Sequence, residues 1–232
     1  MISISDFQES IFRSDFFSTS VGSLTIHNEE KPSPGTLSYV ELISSGSFIN
    51  IANGILKDGS NIYQSENKAQ GRISFRRDCD GICLLQLGNR NVLLIIEVKS
   101  GFNEIKRKAF EQLLASYVKT RCMLHSLNTY VPADYEEMGI LFSYPPSGTS
   151  TITTQMVFAN KAAVITPSYL DTLNMANATA LRVNQEVTLN LRDYHIDQCH
   201  VNPSFYNPTL RVKHVPITNL AASGKVNLDL YL

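Results

Sequence analysis

The chain has 232 residues, 43% of them hydrophobic, which is enough for one sizeable core with a small appendage. Its 20 basic and 21 acidic side chains give a formal net charge of −1, excluding a global positive field that would draw it onto nucleic acid or an anionic membrane. Four cysteines are too few for a disulfide scaffold, no apolar run approaches the ~20 residues of a bilayer span, and MISISDFQES lacks a leader's basic and apolar regions. A soluble, cytoplasmic protein with reduced thiols, and no membrane partner, is therefore expected.

Residues 1–35 are mixed and end in EEKPSPG, whose prolines and glycine mark a loop. The following stretch, 36–56, places Tyr39, Val40 and Ile43 at helical spacing and predicts a largely helical N-terminal region, with Gly46 and its serines against it. From Arg72 the pattern changes to short strands. Ile82–Leu87 and Val92–Val98 are apolar runs joined by GNRN, a turn-forming cluster, and predict an antiparallel hairpin.

Residues 103–127 form the strongest helical pattern. Ile105, Ala109, Leu113, Ser116 and Tyr117 recur on one face, with Arg107, Lys108, Glu111 and Lys119 expected on the other. Strands are expected at 138–144, ended by Pro145 and Pro146, and at 154–166. This order predicts an α/β (α+β) domain built on a mixed central sheet flanked by helices. We divide the chain into a core over 1–166 and a β-rich C-terminal extension over 167–232, packed on the same domain, with extended stretches at 209–215 and 225–232.

The second hairpin strand, VLLIIEVKSG, changes from apolar to charged at its end. Alternation puts Ile95, Glu97 and Lys99 on one face and Ile96 and Val98 on the other, with same-face neighbours roughly 6 to 7 Å apart. Folding the hairpin about GNRN brings Asp80, at the start of the first strand, beside Glu97. Two carboxylates and a lysine then meet at one end of the sheet. Hard divalent cations prefer carboxylate and carbonyl oxygen and keep several waters, and a cation, a lysine and a phosphodiester together suit hydrolysis.

CDG at 79–81, EVKSG at 97–101 and FEQLLASY at 110–117 resemble the PD-(D/E)XK nuclease superfamily, which has the restriction-endonuclease-like fold. The resemblance covers about residues 70–120. It implies metal-dependent hydrolysis of phosphodiester bonds, in DNA first and RNA second, with Mg2+ as cofactor and Mn2+ as substitute. Asp80 and Glu97 would hold the cation with the Val98 carbonyl, Lys99 would act on the attacking water, and Gln112 would line the site. Cys79 stands where the family commonly has proline, leaving Asp78 as an alternative ligand. Tyr117 follows Gln112 by five positions rather than the four of the exonuclease-type branch. A further family glutamate would be Glu41 or Glu66.

Arg76, Arg77, Lys106 and Lys108 flank the proposed site and are candidate phosphate contacts. The near-neutral charge favours a nuclease delivered to nucleic acid by a partner protein, and a homodimer is a further partner expectation. That charge equally suits an inactive nuclease-like fold that serves as a nucleic-acid-binding or protein-assembly module. HIDQCH at 195–200 has zinc-type donors without a second cluster of matching spacing. Neither a phosphate-binding Gly-rich loop ending in Lys-Ser or Lys-Thr nor a Gly-x-Ser-x-Gly elbow is present.

Overall fold

The computed structural model describes residues 2–28, 36–52, 54–58, 73–102, 105–145, 169–196, 201–218 and 223–232. The strand expected at 154–166, together with Glu66 and residues 197–200 of HIDQCH, lies outside the described residues.

Among the described residues the fold is a mixed eight-stranded sheet with helices, as the order of predicted elements implies. The strands are β1 Phe17–His27, β2 Tyr39–Ile51, β3 Gly81–Leu87, β4 Arg90–Lys99, β5 Tyr135–Ser143, β6 Glu186–Asn190, β7 Thr209–Pro216 and β8 Ser223–Asn227. Their order across the sheet is β1-β2-β3-β4-β5-β7-β6, with β8 added on β2. β1 to β4 form an antiparallel meander; β4, β5 and β7 are parallel. The helices are α1 Ile4–Gln8, α2 Gly54–Asp58, α3 Phe110–Leu124 and α4 Tyr169–Asn184. A π-helical turn, Ile105–Ala109, leads into α3. No helix of the described residues is long and apolar enough to cross a membrane.

The predicted hairpin forms with Leu87 opposite Arg90. Gly88 takes φ +59° as the first of two central turn residues, which is the place glycine occupies in a type II′ turn. β4 is buried from Val92 to Lys99, as a central strand covered on both faces must be.

The helix expected within 36–56 is instead β2, a strand of 13 residues. Its buried positions Val40, Leu42, Ser44, Gly46 and Phe48 alternate, so period two governs the whole stretch and the helical spacing of Tyr39, Val40 and Ile43 is incidental. Gly46 lets β2 approach β3: a Cβ there would stand 2.1 Å from the Gln86 carbonyl oxygen. Beyond this point Ser47–Ile51 pair with β3, while Tyr39–Ile43 pair with β8. The β1–β2 register shifts between Val21 and Ser23, where Gly22 at φ +82° faces the three β2 residues Ser44–Gly46, so the extra residues of this irregularity belong to β2.

The sheet has two covered faces. On one, Ile82, Leu84, Leu93, Ile95, Leu141 and Val212 pack with Phe110, Leu113 and Tyr117 of α3 and Leu181 of α4. On the other, Leu94, Ile96, Val98, Ile140 and Phe142 pack with Val40 and Leu42 of β2 and Val226 of β8. β7, from the C-terminal third, lies inside the sheet between β5 and β6.

Candidate functional site

The charged end of β4 lies on the helix-covered face. Glu97 shares the side of Ile95 and Leu93, and Asp80 that of Ile82 and Leu84, all four apolar residues belonging to the core under α3. Gly81 pairs with Ile96, so Asp80 stands opposite Glu97. The Val98 backbone N–H donates to Asp80 Oδ2 at 2.7 Å, closing the hairpin with a side chain where the ladder stops. Lys99 Nζ lies 2.7 Å from Glu97 Oε1; the Glu97 side chain is fully buried and that of Lys99 is 9% exposed.

Helix α3 holds the segment that leads into Asp80. Gln112 Nε2 donates to the Asp78 carbonyl at 3.0 Å, and Ser116 Oγ accepts from the Cys79 N–H at 2.8 Å. Lys119 Nζ donates to the Arg77 carbonyl at 3.1 Å and is ion-paired with the Asp78 carboxylate. These three helix residues, spaced by four and three, form one stripe that fixes 77–79 from three points. Gln112 thus reaches the site through the backbone of Asp78, and Asp78 is engaged by Lys119.

Arg77 Nη1 pairs with Glu111 Oε2 at 2.6 Å; Glu111 Oε1 in turn accepts from Asn174 of α4 at 2.9 Å. Glu111 and Lys119, expected on the helix side away from its apolar face, are 4% and 2% exposed. The helix is buried on nearly all sides because 73–80 and α4 cover its polar side, where Glu111 and Lys119 each have a partner. Arg76 and Lys108 are exposed, and the Lys106 side chain is outside what is described.

Glu41 lies on β2 and pairs with Lys225 of β8 at 3.4 Å, with Val40 and Leu42 on either side pointing into the opposite core. Tyr117 donates to Glu137 Oε2 at 2.5 Å, within a second buried network that includes the Arg121–Glu137 ion pair. Glu137 is the register partner of Leu93, four residues back along β4 from Glu97.

Two residues without any local sequence signal join the site's end of the sheet. Ser143 is the register partner of Lys99, and His214 that of Leu141. The parity that puts Leu141 and Val212 under the helices puts Ser143 and His214 there too. Ser143 Oγ and His214 Nε2 are 2.9 Å apart. Burial pulls His214 down to about 4, so its imidazole is neutral near pH 7. The same cause pushes the Cys79 thiol well above its ordinary range, aided by the charges of Glu97 and Asp80. Cys79 is therefore a buried, protonated thiol rather than a nucleophile.

The donor set suits a hard cation. Asp80 and Glu97 offer carboxylate oxygen on facing strands, and Mg2+ commonly takes one or two carboxylates and completes its shell with water and phosphate. No group of three or more His, Cys, Asp or Glu side chains that could hold a metal ion occurs among the described residues. Comparison with protein-family models, curated proteins and solved structures finds no match for this chain.

Proposed function

We propose that the chain is a metal-dependent nuclease that hydrolyses phosphodiester bonds, with DNA as the first substrate class. The observation that carries this reading is the convergence of Asp80, Glu97 and Lys99 at one sheet end, locked by the Val98–Asp80 hydrogen bond. Asp80 and Glu97 would hold Mg2+ or Mn2+, with the Val98 carbonyl in reach of the same end. When bound, the cation supplies charge neutralisation on the phosphate and acidifies the attacking water.

The chain's own residues divide the remaining work. Lys99 offers a fixed cation beside the site, which orients the attacking water and stabilises charge developing on the phosphate oxygens. Glu97 holds that ammonium in place. Gln112, Ser116 and Lys119 keep the Asp80 segment against α3, so the carboxylate geometry is set before substrate binds.

The test is cleavage of DNA and RNA, single- and double-stranded, with and without Mg2+ or Mn2+, by wild type, Glu97→Gln and Lys99→Met proteins of intact fold. Metal-dependent cleavage lost in both variants supports the reading; wild-type protein inert on all substrates removes it. The depth of the pair, with Glu97 fully buried, favours a second reading, in which the nuclease-like core serves as a nucleic-acid-binding or protein-assembly module. That reading predicts an inert wild type that binds no divalent cation and co-purifies with a defined partner.

A further inference from the structure

His214 contacts two residues that flank the end of β4. Through its ring nitrogen it meets Ser143, the residue paired with Lys99 across the β4–β5 ladder. Through its ring face or edge it meets Phe102, three residues beyond Lys99, with centroids 4.9 Å apart and planes at 71°. The chain that carries Lys99 out of the sheet is therefore bracketed by two contacts that end on one imidazole.

Ser143 Oγ lies 2.9 Å from both the Tyr144 carbonyl oxygen and His214 Nε2; with its proton given to the carbonyl, it accepts from an imidazole protonated at Nε2. Ser143 is fully buried and His214 is 4% exposed. The His214 backbone is fixed as well, its N–H donating to the Gln185 carbonyl at 2.8 Å.

We infer that His214, acting through Ser143 and Phe102, is a positioning residue that fixes the Lys99 end of β4 against Glu97. This deepens the nuclease reading and rests on it for its catalytic consequence. The geometric consequence stands apart: loss of the imidazole frees the segment from Val98 to Phe102.

The experiment compares His214→Gln, which retains an amide N–H donor at similar reach, with His214→Leu, which fills space without one. Backbone amide exchange is measured over 98–102, and Mg2+-dependent cleavage is followed as kcat and KM separately. His214→Leu is expected to speed exchange at 98–102 and to lower kcat roughly 10- to 100-fold with KM unchanged. His214→Gln is expected to restore most of both.

Ser143→Ala, which removes the acceptor while leaving the imidazole, is expected to reproduce the exchange change if His214→Leu fails to fold. Wild-type exchange at 98–102 in folded His214→Leu and Ser143→Ala overturns the inference. So does a wild-type kcat in a cleaving protein. Faster exchange in a protein whose wild type cleaves nothing upholds the positioning role and removes the nuclease reading instead.

Discussion

Val98 donates its backbone N–H to the Asp80 carboxylate at 2.7 Å, across a hairpin whose regular pairing has already ended at Gly81 and Ile96. One oxygen of Asp80 thus serves the fold, and the carboxylate as a whole would serve the cation. These two duties can be separated. Asp80→Ala leaves the Val98 amide without its acceptor and should cost about 1 to 3 kcal/mol in urea unfolding. Asp80→Asn keeps an acceptor oxygen and should cost less than about 1 kcal/mol. Both should lose divalent-cation binding by calorimetry; retained binding in Asp80→Asn would remove Asp80 from the ligand set.

Lys99→Met should separate chemistry from substrate binding. With Glu97 held by Lys99 at 2.7 Å, loss of the ammonium should lower kcat by about 100- to 10,000-fold while KM changes little. Leaving Glu97 buried beside an apolar side chain should also cost about 3 kcal/mol or more. Lys99→Arg retains charge without the compact ammonium and should recover stability more fully than rate.

The pH dependence of stability should carry the signature of His214. Its folded value of about 4 lies below the ordinary 6.5, with burial as the cause, so the unfolded chain binds the proton more readily. The contribution is complete above the unfolded value and is lost as pH falls from about 6.5 to about 4. A difference of this size corresponds to about 3 kcal/mol. Urea midpoints measured across this window should fall less steeply in His214→Gln than in wild type, and parallel slopes would contradict the assignment.

Gly46→Ala probes the close approach of β2 to β3. The added Cβ would meet the Gln86 carbonyl oxygen at 2.1 Å, which backbone can relieve only by moving β2 off β3. A loss of about 3 kcal/mol, the upper end for overpacking, is expected in urea unfolding. Gly101→Ala, where a Cβ meets nothing within 4 Å, serves as the comparison and should be nearly neutral.

The hairpin and the helix were readable because their signals are local. GNRN between two apolar runs specifies a turn, and Ile105, Ala109 and Leu113 all reach the core at the spacing that predicts it. β2 was not readable in the same way. Tyr39, Val40 and Ile43 satisfy helical spacing by chance, and only the partners on both sides, β1 and β3, select the strand. Glu111 and Lys119 fit an exposed helix face in sequence; the segment 73–80 and α4 bury them.

Sequence by itself determined the charged end of β4. Alternation puts Glu97 and Lys99 on one face, and the hairpin turn brings Asp80 opposite, because both follow from strand geometry over about twenty residues. Tertiary structure decided what surrounds them. Ser143 and His214 are 71 residues apart in the chain and 2.9 Å apart in the fold. No periodicity spans that distance; the parallel pairing of β4, β5 and β7 places Ser143 and His214 at the Lys99 end of the sheet.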